Sequence, residues 1–66
     1  MPLVRVTVVE GSLSRAQQDE LVEQMTAAIA RVGGEELASV AWVLIDEVPG
    51  AAWGVGGRPV AREAPD

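Results

Sequence analysis

The chain has 66 residues, of which 48% are hydrophobic, and its formal net charge at pH 7 is −5. It contains no cysteine and no histidine, which excludes disulfides, thiolate nucleophiles, histidine bases and nearly all zinc-type sites. The acidic balance argues against nucleic-acid binding, and no apolar stretch has the length of a membrane span. We therefore expect a soluble, cytoplasmic protein. Because a chain this short buries too little apolar surface by itself, we also expect self-association.

The first predicted element is a strand over about residues 3–9, with the sequence LVRVTVV. The valines at every second position form one face of this strand. On the opposite face, we expect Arg5 to pair with an acidic group across an interface. Pro2 comes directly before the strand, where a missing N–H disturbs no hydrogen-bond ladder.

A helix is predicted over about residues 15–32. Ser14 and Gln17 have the spacing of a capping box, in which each side chain accepts a hydrogen bond from the other residue's backbone N–H. The apolar residues that follow recur at helical spacing and form one face. Two consecutive glycines, Gly33 and Gly34, predict the end of this helix.

The second predicted strand covers about residues 40–46 and is apolar throughout from Val40 to Ile45, as is typical of a strand covered on both faces. Strand, helix and strand together predict an α/β (α+β) fold, a single βαβ unit with parallel strands. The glycine-rich residues 51–57 predict a short hairpin or flap, and residues 60–66 a frayed tail. We interpret residues 1–66 as one domain.

Three features occur together with this layout. Pro2 follows the start methionine, the first strand ends in VVEG, and an aromatic-Gly-aliphatic-Gly-Gly stretch runs from Trp53 to Gly57. In this combination the chain resembles the 4-oxalocrotonate tautomerase family over about residues 2–57.

The resemblance implies a fold, an assembly and a reaction. Members of this family are βαβ chains that form hexamers, usually trimers of dimers, so a homohexamer is expected. Their start methionine is removed, and the amine of the following proline is the general base and acid, a role that Pro2 would take. The implied activity is a keto–enol or 1,3/1,5 proton shift in an α-keto acid, an isomerase reaction without cofactor or metal. Trp53 matches an active-site aromatic residue on a hairpin that meets a neighbouring subunit.

The chain departs from the family at two arginine positions that bind substrate carboxylates. One is occupied by Ser12, and the other by Trp42, or by Ala41 if the alignment gap moves. Arg15, three positions beyond Ser12, and Arg58, after the glycine pair, are the candidate replacements. Either arginine could instead be a solvated surface charge.

Several readings therefore stay open. Trp42 either packs in a core or an interface, or it forms an aromatic wall that favours a less charged substrate. Glu10 could activate water in a hydratase or dehalogenase acting on an unsaturated acid. The chain could also be an inactive oligomeric scaffold or small-molecule-binding protein, and a sister chain could supply the missing arginines in a hetero-assembly.

Overall fold

A computed structural model describes residues 1–61 of the chain. The elements, in chain order, are β1 (Leu3–Val9), α1 (Arg15–Gly33), α2 (Glu35–Ala38), β2 (Trp42–Val48), a 3₁₀ turn (Gly50–Ala52), β3 (Gly54–Val55) and β4 (Arg58–Pro59). β1 and β2 are parallel neighbours, whereas β3 and β4 form an antiparallel hairpin. The predicted βαβ unit with a short C-terminal hairpin is confirmed.

β1 and β2 pair along their whole length, from Leu3 opposite Trp42 to Val9 opposite Val48. Alternate side chains are half-buried on the side of α1, and most of those between them are exposed on the other side. We call that other side the outer face; it carries Leu3, Arg5, Thr7, Trp42, Leu44 and Asp46. The expectation that the second strand is covered on both faces is therefore wrong for the single chain.

β2 begins two residues later than predicted, and it ends two residues later as well. The backbone N–H groups of Val40 and Ala41 donate to carbonyl oxygens of α2, at 3.2 and 3.1 Å, and so cannot join the sheet. At the other end, the polar residues Asp46 and Glu47 continue the strand instead of closing it.

α1 begins with the predicted capping box. The Gln17 N–H donates to Ser14 Oγ at 3.1 Å, and the Ser14 N–H donates to Gln17 Oε1 at 2.8 Å. The helix ends at Gly33, because Gly34 has a φ of +97°, a conformation that favours glycine. The single turn of α2, which the sequence analysis does not predict, follows at once.

The hairpin turns at Gly56 and Gly57, whose φ angles of +59° and +85° fit a type I′ turn. Its strands lie at residues 54–55 and 58–59, so the hairpin lies nearer the C-terminus than the predicted range of 51–57. The predicted tail is also wrong at its first residues, because the N–H of Val60 donates to the Trp53 carbonyl at 2.8 Å. Residues 62–66 of the predicted tail lie outside the described residues.

The single chain has little interior. Among residues 1–61 only Ala38 is buried, and the apolar side chains between α1 and the sheet are half-buried. The radius of gyration is 15.4 Å, compared with about 11 Å for a compact domain of this length. These properties are typical of a chain that completes its core by association.

Candidate active site

Pro2 lies directly before β1 and is half-buried. Its carbonyl oxygen accepts a hydrogen bond of 2.9 Å from the backbone N–H of Trp42. Proline costs no ladder bond at this position because the ladder uses only its carbonyl group. Pro2 is thus held at the amino end of the parallel sheet, beside the first residue of β2.

Two apolar clefts border Pro2. The larger has a volume of about 370 Å³ and lies between the start of β1 and the second half of α1, with a lining that includes Pro2, Val4, Met25, Ile29, Val32 and Leu37. The smaller has a volume of about 170 Å³ and is lined by Met1, Pro2, Leu3 and Trp42. Within the described part of the chain, neither lining contains a charged side chain. The structure thus places Pro2 in apolar surroundings.

Trp42 is the candidate site residue that lies beside Pro2. It starts β2 opposite Leu3, and 58% of its surface is exposed on the outer face. The position that the resemblance assigns to an arginine therefore presents an indole ring at the smaller cleft.

Ser12 and Arg15 lie at the other end of the sheet, after β1. The Ser12 hydroxyl donates a hydrogen bond of 2.6 Å to the carbonyl oxygen of Val9, and so it supports the turn into α1. The Arg15 side chain is 89% exposed, and its Nε lies 3.5 Å from Asp19 Oδ1. Exposed pairs of this kind contribute little to stability, which leaves the arginine able to move toward an anion.

Trp53 and Arg58 follow β2 and therefore also belong to the carboxyl end of the sheet. Trp53 is half-buried, and its backbone N–H donates to the Gly50 carbonyl at 3.2 Å. Arg58 starts β4 opposite Val55 and is exposed. We call residues 50–61 the arm, because hydrogen bonds from Val60 and Ala61 close this segment on itself.

The candidate residues thus form two groups at opposite ends of the sheet. Pro2 and Trp42 lie at the amino end, and Ser12, Arg15, Trp53 and Arg58 lie at the carboxyl end. β1 has seven residues, and a rise of roughly 3.3 Å per residue separates the two ends by more than about 20 Å. A single chain therefore does not bring all the candidate residues into one site.

An ion pair on the outer face departs from the sequence-based expectation. Arg5 Nε donates to Asp46 Oδ2 at 2.7 Å, so its acidic partner is on the neighbouring strand of the same chain and not across an interface. The hydrogen bond and the charge of Asp46 raise the pKa of Arg5, which stays protonated. The pair was missed because the sequence analysis ends β2 at Asp46, and only the strand register shows the two side chains as diagonal neighbours.

Other types of site are not evident in residues 1–61. Within this range, no three acidic, histidine or cysteine side chains come together in a way that could hold a metal ion. Neither helix in the described residues has the length and apolar character needed to cross a bilayer.

Comparison with known proteins identifies the family. The model for tautomerase enzymes matches residues 2–63, nearly the whole chain and beginning at Pro2. The chain belongs to the tautomerase enzyme family. A probable tautomerase from Ralstonia nicotianae is 42% identical over 67 residues, which cover 98% of this chain and 93% of the relative.

Solved tautomerase structures have the same fold. TomN, a 4-oxalocrotonate tautomerase homologue in the tomaymycin biosynthetic pathway, is 39% identical with a TM-score of 0.82, over 89% of this chain and 88% of TomN. A heterohexameric 4-oxalocrotonate tautomerase from Chloroflexus aurantiacus is 35% identical with a TM-score of 0.81, over 91% of this chain and 94% of its own. The resemblance to 4-oxalocrotonate tautomerases is confirmed, and membership of the family supports an isomerase-type activity.

Proposed function

We propose that the protein is a cofactor-independent tautomerase in which Pro2, after removal of Met1, is the general base and acid. The reaction is a keto–enol or 1,3/1,5 proton transfer in an α-keto acid or a related enol. The observation that supports this most directly is the position of Pro2. It is half-buried between two apolar clefts at the amino end of the sheet.

The surroundings of Pro2 suit this chemistry. A free α-amino group has an ordinary pKa of about 7.7–8.0, and apolar surroundings lower the pKa of an amine because they disfavour its charged form. Loss of Met1 would release a Pro2 amine in these surroundings, and its neutral form is the reactive base. In this form it can accept a proton from an enol hydroxyl and return it to carbon.

The proposed site is shared between subunits. Arg15 or Arg58 holds the substrate carboxylate, Ser12 is a nearby hydrogen-bonding group, and Trp53 shields the site from water. Because these residues lie more than about 20 Å from Pro2 along the sheet, they come to Pro2 from a neighbouring copy. We propose a homohexamer, since exposed apolar side chains on the outer face and on the arm leave surface to cover.

A non-catalytic role is the second candidate. The observation in its favour is that serine and tryptophan occupy the two expected arginine positions, Ser12 and Trp42. A hydratase or dehalogenase reaction, in which Glu10 would activate water, has weaker support, because the matching family model and the Ralstonia relative are both described as tautomerases. The heterohexamer of the Chloroflexus relative makes a hetero-assembly the alternative to a homohexamer.

The test combines intact mass with ketonisation of phenylenolpyruvate. The purified chain should lack the mass of Met1 and should turn over this enol, and kcat/KM should fall as the pH drops below the lowered pKa of the Pro2 amine. Pro2→Ala should lower kcat/KM by about 10²- to 10⁴-fold, as expected for loss of a positioned base.

An alanine inserted between Met1 and Pro2 is the matched control. It keeps every side chain but leaves the Pro2 nitrogen in an amide bond, so turnover should disappear while the fold and the native mass are retained. Unchanged turnover in the insertion variant, or no turnover by Met-free protein, would contradict the proposed mechanism.

A further inference from the structure

We propose that Trp42 is the specificity-determining residue of this site, and that it selects an enol acid with a single carboxylate and an aryl group over a dicarboxylate. The inference rests on the proposed function of Pro2 and adds a substrate class to it. It depends on the space that Met1 fills, on how Trp42 is held, and on the charges around both residues.

Met1 occupies the space next to the Pro2 nitrogen that a substrate must enter. Its carbonyl carbon is bonded to the Pro2 nitrogen, and Met1 lines the smaller cleft together with Pro2, Leu3 and Trp42. It is not part of the larger cleft beside α1. When Met1 is removed, a molecule that reaches the Pro2 nitrogen takes its place and comes to face Leu3 and Trp42.

The position of Trp42 relative to Pro2 is set by the backbone. The Trp42 N–H donates to the Pro2 carbonyl at 2.9 Å, and Trp42 lies opposite Leu3 in the strand register. Trp42 as a whole is nevertheless 58% exposed, so another molecule can reach its side chain. A rigid backbone with an accessible ring is suited to stacking on a planar group.

Charges around this cleft disfavour a second carboxylate. Within β1 and β2, the cation on the outer face is Arg5, and its Nε is bound to Asp46 at 2.7 Å. A carboxylate placed against Trp42 would lose water without gaining a partner, whereas an aryl group would gain contact area and a stacking interaction. The proposed substrate therefore has one carboxylate, which an arginine of a neighbouring copy holds away from Trp42, and an aryl group against the indole.

The reaction on such a substrate needs no further reagent. The O–H bond of the enol breaks as the neutral Pro2 amine takes the proton, and the C=O bond forms. The C=C electron pair then takes a proton from the Pro2 ammonium to give a C–H bond. The amine returns to its starting state, and the aryl group stays against the indole throughout.

The test compares kcat/KM for two enols, phenylenolpyruvate and the dienol form of 4-oxalocrotonate, in the Met-free protein. Wild type should prefer the aryl substrate. Trp42→Ala should lower kcat/KM for the aryl substrate by up to roughly tenfold, mainly through KM, without a comparable loss for the dicarboxylate. Trp42→Phe should keep the preference, and Trp42→Arg should reverse it.

Native mass is measured for every variant, because Trp42 also lies on the outer face. An unchanged substrate ratio across the variants overturns the inference. Equal losses for both substrates together with a smaller assembly overturn it too, and would make Trp42 an interface residue. If turnover depends on Pro2 while the ratio is unchanged, this inference fails alone; if turnover does not depend on Pro2, the proposed function fails as well.

A binding measurement provides a readout that does not require turnover. The keto product phenylpyruvate should quench the tryptophan fluorescence of a Trp53→Phe variant, in which Trp42 is the remaining indole. Because Trp53 also belongs to the proposed site, the Trp53→Phe variant reports on Trp42 alone, and its quenching should saturate with phenylpyruvate concentration. An absence of saturable quenching in this variant would contradict the placement of the aryl group against Trp42.

Discussion

The two ends of the parallel sheet differ in chemistry. At the amino end, Pro2 and Trp42 border clefts that no charged side chain lines within residues 1–61. At the carboxyl end, Arg15 and Arg58 are both exposed. The amino end is therefore apolar, whereas the carboxyl end carries exposed charged side chains.

Parallel pairing is the reason for this separation. Because β1 and β2 run in the same direction, both strand starts lie at one end and both of the segments that follow lie at the other. Residues at the two ends can meet only when one copy brings its carboxyl end to the amino end of another. An antiparallel two-fold contact, in which each copy brings its carboxyl end to the amino end of the other, meets this requirement and suits a symmetric assembly.

The largest expected effect is recovery of activity by mixing two inactive chains. One chain carries Pro2→Ala, and the other carries alanine at Arg15, Trp53 and Arg58. After equal amounts of the two chains are unfolded and refolded together, the copy that supplies the amino end of a site has an intact Pro2 with a probability of about one half. The copy that supplies the carboxyl end is intact with the same probability, so about a quarter of wild-type activity should return. The measurement is phenylenolpyruvate turnover.

Refolded wild type and each variant refolded alone are the controls for this mixture. If each site were built from a single chain, every site in the mixture would lack either Pro2 or the three substituted residues at the carboxyl end. A mixture as inactive as its two components would therefore contradict the shared site.

A smaller effect is expected from a charge on the outer face. Leu44 is 38% exposed in the single chain, beside an arginine that is already paired with Asp46. Leu44→Asp should weaken assembly, because association would have to bury an additional carboxylate. Native mass spectrometry should show smaller species, and turnover should fall with them.

Gln24→Asp is the matched control for the outer face. Gln24 is exposed on α1, and the change adds the same charge away from the sheet. If Leu44→Asp keeps the native mass of wild type, the outer face is not the covered surface and the arm becomes the better candidate.

The smallest effect is expected at the cap of α1, which positions Arg15 at the carboxyl end. Ser14→Ala removes the acceptor of the Gln17 N–H and should cost about 1 kcal/mol of stability. Thermal unfolding at fixed protein concentration measures this loss. Ser39→Ala, which removes a hydroxyl that donates to the Glu36 carbonyl, should cost less because it leaves no N–H without its partner. Equal losses would show that the capping box does not stabilise α1.

Local patterns account for much of the fold. The alternation of residues 3–9 and the capping box at Ser14 depend on near neighbours, so both the first strand and the start of α1 agree with the predicted positions. The start of β2 could not be placed in this way, because it depends on where the N–H groups of Val40 and Ala41 find acceptors. The hairpin was placed too early, since its limits follow from cross-strand pairing around Gly56 and Gly57.

The sequence by itself determined the βαβ layout and the family, because these depend on local periodicity and on residues at characteristic separations. Only the tertiary structure decided which candidates share an end of the sheet. It placed Trp42 beside Pro2 and Ser12 with Arg15 at the far end, and it paired Arg5 with Asp46 within the chain. The physical reason is strand register, which joins residues about forty positions apart through hydrogen bonds that no local pattern specifies.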